Sequence, residues 1–420
     1  MLKIYKLMPG LKHLANYKQS NLIGDLTAGL IVAFLLIPQS MAYATIAGVP
    51  VSLGLFAATF PLIIYALFGT SKYLSVGPVS VVSLLAFSAV SSIAAPNSAQ
   101  FLQLIIFLAL LVGVLQFCMG LIKFGSIFDY VSPAFITGFT SAIAIIIALN
   151  QVKSIMGVSL PKYDNLVDYG MEILRHVSDI NAYTALIGIG SILLLVTLKK
   201  MFTISPGPFI VIVLSIGLVD YFNLHQKNVD IVGQIPSGFP DLSMTIPTWD
   251  LILLLMPTAF MISFISFLES YAIGKTLANK ENEQLDPNRE LMGLGLANIT
   301  SSAVGSIPIA GAISRSAVNH QSGAKTNLSL LITAFFMFVA ILFLTPLFYY
   351  LPKATLAAII IVAVSKLINL KQMIDYIKNK LSDGLILIAT FLSTLMIDIF
   401  IGLLIGITVS LLVKGARSFA

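Results

Sequence analysis

Long runs of apolar residues, separated by short polar loops, recur from one end of this chain to the other. One membrane-spanning helix needs about 20 predominantly apolar residues, and runs of this kind occur many times here. Only 10% of the residues are charged, against about 25% in a soluble domain, and the mean hydropathy is +0.97. Because apolar and polar residues do not alternate within the runs, a transmembrane β-barrel is excluded. The sequence therefore predicts an all-α membrane protein that crosses the bilayer many times.

The apolar runs divide into fourteen segments. Their approximate limits are 22–44, 51–68, 78–92, 101–121, 130–150, 181–198, 206–222, 251–274, 289–306, 313–322, 327–348, 354–369, 383–397 and 398–413. The third and tenth segments are too short to cross a bilayer alone. Each half thus has seven segments with a short one in third place, which predicts a seven-plus-seven inverted repeat, since an odd number of spans inverts the second copy.

Two stretches rich in Gly and Pro precede these two half-helices. The first is Ser75-Val76-Gly77-Pro78-Val79-Ser80, and the second runs over residues 305–316. Non-helical backbone within a membrane is tolerated only where protein buries it or where it lines a cavity. Gly/Pro-interrupted segments at corresponding positions of two halves indicate the binding site of a transporter. We therefore predict a binding site at these two breaks.

Arg315 lies inside the second break, where a charge costs roughly 2.5–3.5 kcal/mol on insertion scales. It therefore needs a partner or a function. We predict that it supplies positive potential for a bound anion, beside the N–H groups at the N-terminus of a half-helix. The alternative is an ion pair with Glu269 that holds two helices together, although a paired arginine would still contribute to the potential at the site.

Glu269 is a carboxylate inside the eighth segment. Acidic residues within membrane segments often form proton relays, and we predict that Glu269 takes up and releases a coupling proton. The alternative is that it only neutralises Arg315. Asn298 and Asn319 are better explained as interhelical hydrogen-bonding residues than as ligands. Near segment ends lie four aspartates that we interpret as caps or interface charges: Asp25, Asp129, Asp383 and Asp398.

In the first segment, Pro38 is expected to break the helix. Gln39 and Tyr43 are four residues apart and therefore share a face. We predict that Gln39 donates hydrogen bonds to the substrate and that Tyr43 forms a wall of the site. In the alternative, Gln39 bonds to carbonyls that Pro38 leaves free.

Several function classes find no support in the sequence. The four histidines are scattered, the single cysteine is Cys118, and no metal-ligand spacing occurs. No nucleotide-binding loop or catalytic motif is present. We predict no enzymatic activity, no metal and no cofactor, so that transport energy must come from an ion gradient or from exchange. A nucleic-acid partner is also rejected, because the basic residues lie at segment ends.

The basic residues predict the orientation of the chain. With the N-terminus in the cytoplasm, 18 of the 24 Lys and Arg residues lie inside, 5 lie outside and Arg315 lies within the membrane. Cytoplasmic loops carry the excess of Lys and Arg in membrane proteins. Both termini are therefore predicted to be cytoplasmic. The two longest loops, about 151–180 and 223–250, are then outside, and the stretch from Lys371 to Lys380 is a cytoplasmic loop.

Three groups of residues carry a family resemblance. The first is Ile37-Pro38-Gln39-Ser40-Met41-Ala42-Tyr43-Ala44, Phe68-Gly69-Thr70-Ser71 and Ser75-Val76-Gly77-Pro78. The second is Asn288-Arg289-Glu290-Leu291, Gly295-Leu296-Ala297-Asn298 and Ser314-Arg315-Ser316-Ala317-Val318-Asn319. The third is Leu351-Pro352-Lys353-Ala354-Thr355-Leu356-Ala357-Ala358. In these motifs the chain resembles the SulP sulfate permeases, relatives of the SLC26 anion transporters, over nearly its whole length.

The resemblance implies a UraA-like fold with a core domain, formed by segments 1–4 and 8–11, and a gate domain, formed by segments 5–7 and 12–14. The corresponding limits are 1–20 for a cytoplasmic N-terminus, 21–125 and 251–350 for the core, and 126–250 and 351–415 for the gate. Most members of the family continue into a cytoplasmic STAS domain, and we expect no STAS domain in this chain.

The resemblance also implies an anion site between the facing N-termini of the two half-helices. Transport would be elevator-like, with the core sliding against the gate, and dimers are usual. Carried over by position, the substrate-binding residues are Gln39, Tyr43, Val79, Ser80, Ser314, Arg315 and Ser316, and the proton-coupling residue is Glu269.

We therefore predict a secondary-active anion transporter of the cell (inner) membrane, a homodimer that transports sulfate or a related small anion together with a proton. Fumarate or another dicarboxylate, or bicarbonate, are alternative substrates. An uncoupled exchanger or channel, or a xanthine/uracil-type carrier with the same fold, are alternative classes. Sodium-coupled bicarbonate members tend to have a shorter acidic residue in place of Glu269 and to lack the arginine, so this chain favours proton coupling.

Overall fold

The computed structural model describes residues 8–15, 17–161, 163, 165–202, 206–235, 248–379 and 381–419. Within these residues the fold is helical apart from one short two-stranded sheet. Eight of the described helices are long and apolar enough to cross a membrane, and shorter apolar helices accompany them. The predicted all-α polytopic membrane fold is thus confirmed.

The α-helices are numbered in chain order. They are α1 (Pro9–Ala15), α2 (Leu22–Ile46), α3 (Val51–Phe68), α4 (Ser80–Val90), α5 (Ala99–Leu121), α6 (Pro133–Met156), α7 (Leu166–Arg175), α8 (Ala182–Met201), α9 (Gly207–Tyr221), α10 (Trp249–Lys280), α11 (Pro287–Ala303), α12 (Ile313–Gln321), α13 (Leu328–Val339), α14 (Lys353–Val364), α15 (Leu370–Asn379), α16 (Leu381–Met396) and α17 (Ile399–Phe419). A π-helix (Ala340–Leu344) and a 3₁₀ turn (Thr345–Phe348) extend α13. The strands are β1 (Val76–Gly77) and β2 (Ala310–Gly311).

Every predicted segment contains a helix, and the two predicted half-helices are α4, with 11 residues, and α12, with 9. Two details differ from the sequence analysis. Helix α2 continues through Pro38 to Ile46, because the tightly packed surroundings hold the helix on both sides of the proline. The stretch predicted as a cytoplasmic loop from Lys371 forms the helix α15, whose apolar residues are too few and too widely spaced to resemble a span.

The chain forms two compact units. The first comprises Met1–Gly125, Lys199–Ile212 and Val232–Tyr349, and the second comprises Ser126–Leu198, Val213–Ile231 and Tyr350–Ala420. All of the predicted site residues belong to the first unit. Residues 199–212, 232–235 and 248–250 lie in the range predicted for the gate domain but cluster with the first unit. The roles of core and gate remain predictions.

Close helix packing at glycine organises the first unit. Helix α11 packs along α5 and α3, and α13 packs against α2 and α3. A Cβ atom on Gly113 would lie 2.6 Å from the backbone nitrogen of Ile299, and one on Gly295 would lie 2.6 Å from that of Phe117. Small residues let two membrane helices approach closely where van der Waals contact is the main attraction. These glycines therefore set the distance between α5 and α11.

The second unit is built around α6, which packs against α14, α16 and α17. Its smaller apolar cluster consists of Ile187, Val219, Leu224, Val229 and Ala354. Helix α17 begins at an acidic cap, because the Asp398 carboxylate accepts hydrogen bonds from the backbone N–H groups of Phe400 and Ile401 at 2.7 and 3.2 Å. The predicted capping role of Asp398 is thus confirmed.

Candidate functional site

The two Gly/Pro breaks meet in one short antiparallel sheet. Val76 pairs with Gly311, and Gly77 pairs with Ala310. Each strand is followed within three residues by a half-helix, so the pairing holds the N-termini of α4 and α12 at one place in the first unit. The sequence separation of these strands exceeds 200 residues, and only the tertiary fold brings them together.

Neither half-helix has a side-chain cap. The residues before them, Val79 and Ala312, are extended, and their apolar side chains cannot accept hydrogen bonds from the first turn. The N–H groups of a first turn have no partner within the helix, and they carry about half a positive charge in total. The hydroxyls of Ser80 and Ser314 make no hydrogen bond to any described residue. The two N-termini therefore offer several donors to an acceptor-rich ligand.

Arg315 is fully buried in the first turn of α12. Its Nη1 donates to the carbonyl oxygen of Pro78 at 3.0 Å and lies 3.4 Å from Oε1 of Gln39. Its Nε and Nη2 atoms are buried without a hydrogen-bond partner. No ion pair joins it to any described residue, so the alternative of a salt bridge with Glu269 finds no support in the geometry. A buried guanidinium with two unused donors is suited to an anionic ligand.

Helix α2 supplies the remaining wall of the site. Gln39 and Tyr43 are both buried on the same helical face, as their spacing predicts. The amide oxygen of Gln39 faces Nη1 of Arg315, which leaves the Gln39 amide N–H₂ group for another acceptor. Tyr43 follows one helical turn after Gln39 on the same face. The structure thus brings Gln39, Tyr43 and Arg315 together at the N-termini of α4 and α12.

Glu269 lies on α10, and the residue that follows it contacts β2. Its neighbour Ser270 accepts a hydrogen bond from the backbone N–H of Gly311 at 2.8 Å. Glu269 itself is partly buried and forms no hydrogen bond or ion pair with any described residue. A carboxylate placed in this way has no fixed partner to hold it in one charge state.

A buried polar network lies behind β2; it confirms the predicted interhelical hydrogen-bonding role of Asn298, whereas its partners Gln116 and Ser266 were not predicted. Asn298 on α11 donates to Gln116 Oε1 at 2.9 Å and to the carbonyl oxygen of Ile309 at 3.2 Å, while its own Oδ1 accepts from Ile309 N–H at 2.8 Å. Gln116 on α5 in turn donates to Ser266 Oγ at 2.8 Å. The network ties α5, α10 and α11 to the residue that precedes β2. Gln116 is an amide that follows a long apolar run within its span, and this was the available signal.

One serine hydroxyl and one backbone hydrogen bond hold the two breaks against each other. Ser316 Oγ accepts a hydrogen bond from the backbone N–H of Ser75 at 2.9 Å, and the backbone N–H of Ala312 donates to the Ser75 carbonyl at 3.1 Å. Ser316 is fully buried, so its hydroxyl orients the backbone of the first break. It differs in this from Ser314, whose side chain is partly exposed.

The far end of α12 is joined to the loop after α10. His320 and Glu281 are hydrogen-bonded at 2.7 Å, and this bond lowers the pKa of the Glu281 carboxyl. The Asn319 side chain donates to the carbonyl oxygen of Tyr73 at 3.2 Å, so it bonds to the loop before β1 and not, as predicted, to another helix. Lys72 forms an ion pair with Glu283 beside these groups. Polar contacts thus hold α12 at both of its ends.

Two other buried carboxylates of the first unit have structural partners. Glu290 on α11 accepts hydrogen bonds from Tyr65 and Thr70 at the end of α3. Asp25 on α2 accepts from the backbone N–H groups of Lys325 and Thr326 at 2.7 and 3.0 Å. Since both carboxylates are satisfied, Glu269 differs from them in having no partner. No group of three or more His, Cys, Asp or Glu residues that could hold a metal ion occurs in the described part of the chain.

Comparison with known proteins places this geometry in a family. The sequence pattern of the sulfate permease family matches residues 22–390. The chain belongs to this family. The chloroplastic sulfate transporter 4.1 of Arabidopsis thaliana is 38% identical over 414 residues, which cover 96% of this chain and 60% of the relative. The chain therefore spans less than two thirds of the length of that relative.

Solved structures of related proteins share the fold. The murine Solute Carrier 26 family member A9 anion transporter, in its inward-facing state, matches with a TM-score of 0.92 and 26% identity, over 99% of this chain and 72% of that one. The transmembrane domain of the cyanobacterial bicarbonate transporter BicA matches with a TM-score of 0.79 and 23% identity, over 94% and 98% of the two chains. The predicted UraA-like sulfate permease fold is confirmed by these similarities.

Proposed function

We propose that this chain is a secondary-active transporter that binds a small anion between the N-termini of α4 and α12. One observation carries the proposal: Arg315 is fully buried beside these N-termini, with two donors unused and no carboxylate within ion-pair distance in the described residues. An unpaired buried charge is costly, and an anionic ligand would offset that cost. Gln39, Tyr43, Val79, Ser80, Ser314 and Ser316 would surround the ligand.

Sulfate is the proposed substrate. The unused donors come from a guanidinium, two helix N-termini and two serine hydroxyls, and a tetrahedral oxyanion has acceptor oxygens pointing in all of these directions. The name of the Arabidopsis relative agrees with this choice. The same donors would also attract a dicarboxylate, and competition in the assay below distinguishes the two.

Proton coupling is proposed for Glu269. Protonation of this carboxylate removes a negative charge near the anion, so proton and anion binding should favour each other reciprocally. The absence of a fixed partner in the described residues supports this role, since a carboxylate held by an arginine could not be neutralised readily. The proposed cycle begins with proton uptake by Glu269, continues with anion binding, and ends with release of both on the other side.

An elevator mechanism, a homodimeric state and a location in the cell membrane with cytoplasmic termini are further parts of the proposal. In such a mechanism the first unit, which contains every proposed site residue, would be the part that moves with the anion. The family resemblance supports these parts of the proposal.

The proposal is tested by uptake of labelled sulfate into proteoliposomes with an alkaline interior. We expect the pH gradient to drive uptake, a proton ionophore to abolish it, and Glu269→Gln to remove the dependence on the gradient. The matched control is Glu172→Gln, which removes a carboxylate paired with Arg175 in the second unit. Gradient-driven uptake that persists in Glu269→Gln would refute the coupling role.

The substrate is identified in the same assay by adding unlabelled sulfate, fumarate, bicarbonate, chloride or uracil. We expect unlabelled sulfate to compete best. If sulfate is not taken up under any gradient, while one labelled competitor is, the assignment of sulfate as the substrate is wrong. Uptake that follows the anion gradient alone, without any pH dependence, would indicate an uncoupled exchanger.

A further inference from the structure

Helix α15 exposes a continuous apolar face. Its apolar residues Leu370, Met373, Ile374 and Ile377 have the spacing i, i+3, i+4, i+7, which places them on one side of a helix. No residue of α15 is buried, and the side chains of Leu370, Ile374 and Ile377 are 64%, 49% and 45% exposed. Contiguous exposed apolar surface of this kind marks a site of contact with a membrane or a partner.

Two lysines border this face. Lys371 and Lys378 are seven residues apart, so they lie at the same edge of the helix, next to the apolar face. Both are exposed, and neither forms an ion pair with any described residue. Asp375, the single acidic residue of the helix, accepts a hydrogen bond from Asn379 at 2.5 Å and forms no ion pair with either lysine. With two lysines and one aspartate, α15 carries a net positive charge beside an apolar surface.

The helix is held in place by its neighbour α16. A Cβ atom on Gly384 would lie 3.1 Å from Cα of Ile377 and from the carbonyl oxygen of Tyr376, so the absence of a side chain there allows close approach. The first turns of α16 carry Leu381 and Leu385, which are 79% and 57% exposed. The apolar face of α15 thus lies directly beside the lipid-facing side of a predicted membrane helix.

We propose that α15 lies in the membrane interface and binds an anionic phospholipid surface. Amphipathic helices with lysines on the polar side insert their apolar face at the boundary between headgroups and acyl chains. Lysines at the edge of such a face extend towards the headgroups, where each favours association with anionic lipid by about fivefold. The proximity of α16 favours lipid over a protein partner. This inference is independent of the transported substrate.

The insertion is tested with fluorescent labels on the full chain. In a Cys118→Ser background, Ile374→Cys on the apolar face and Asp375→Cys on the polar face are labelled with NBD and reconstituted into phosphatidylcholine vesicles containing phosphatidylglycerol. We expect iodide to quench the label at position 374 at least about threefold less than the label at 375. Equal quenching would overturn the proposal. Protection at position 374 without quenching by any doxyl-labelled lipid would show that protein covers the face, and would overturn it too.

The charge recognition is tested by comparing two quenchers at position 374. We expect doxyl-labelled phosphatidylglycerol to quench several-fold more strongly than doxyl-labelled phosphatidylcholine. The double variant Lys371→Gln/Lys378→Gln should bring this ratio close to one. The control Lys199→Gln/Lys200→Gln, which removes two exposed lysines at the end of α8, should leave it unchanged. A ratio of one in the starting protein, or an unchanged ratio in the first double variant, would refute recognition of anionic lipid.

Discussion

At the scale of single residues, the site depends on a charge that the fold buries without neutralising. Arg315 bonds to a backbone carbonyl at Pro78 and faces an amide oxygen at Gln39, and two of its donors have no partner. Neutral acceptors satisfy part of its hydrogen-bonding capacity but leave its charge in place. A salt bridge with Glu269 would have cancelled that charge. The positive potential is therefore available to a ligand.

Substitution of Arg315 by Gln is expected to raise the KM for sulfate by about tenfold or more, because hydrogen bonds to charged groups contribute about 1.5–3 kcal/mol. The measurement is initial uptake rate as a function of sulfate concentration. Arg289→Gln is the matched control, since Arg289 is exposed and pairs with Asp286 in the same unit. Saturable uptake with an unchanged KM in Arg315→Gln would show that the guanidinium does not contact the anion.

Substitution of Asn298 by Leu is expected to destabilise the protein by about 1–3 kcal/mol, because the buried N–H of Ile309 and the amide oxygen of Gln116 lose their partner. The free energy of unfolding in mixed detergent micelles measures this change. Thr300→Val is the control on the same helix, since the Thr300 hydroxyl bonds only to the Leu296 carbonyl one turn earlier. Similar stability of the two variants would contradict a supporting role for the network.

At the scale of elements, the half-helices were predictable from the sequence, whereas the hydrogen bonds that hold them in place were not. The Gly/Pro breaks and the short apolar runs behind them suffice to locate α4 and α12, because these features are local in sequence. Ser270 bonds to β2 directly, and the hydrogen bond between Gln116 and Ser266 joins two of the helices behind it. These helices are far apart in the chain, and a single polar residue in an apolar span does not reveal its partner. Helix α15 was predicted as a loop for a different reason. Its apolar residues form only a narrow face, and its charged residues lower the hydropathy of the stretch.

Substitution of Gly295 by Ala is expected to lower stability by about 1–3 kcal/mol, because the added Cβ would overlap the backbone of α5 near Phe117. Gly217→Ala is the control, since no atom lies within 4 Å of a Cβ at that position on α9. At an open helical position, Ala is favoured over Gly by up to about 1 kcal/mol. Thermal unfolding in detergent should therefore shift in opposite directions for the two variants, and a common direction would contradict the packing argument.

At the scale of the whole molecule, the distribution of Lys and Arg predicts the orientation of the chain in the membrane. It is tested with single cysteines at two exposed lysines in a Cys118→Ser background. An impermeant maleimide added to intact cells should label Lys353→Cys, at the start of α14, and should label Lys199→Cys only after the membrane is permeabilised. The reverse pattern would invert the predicted topology, and the proposed coupling direction would have to be revised with it.

The amino-acid sequence by itself determined that this is a helical membrane protein, how many apolar segments it has, and where two of them are interrupted. These properties follow from local composition and spacing, because a bilayer imposes the same length and polarity on every span. Only the tertiary structure decided that the two breaks pair as strands, that Arg315 reaches Gln39 and Pro78, and that Glu269 stays without a partner among the described residues. Those outcomes depend on contacts across more than 200 residues, and the packing of α5, α10 and α11 selects one of many arrangements that the same apolar segments would allow.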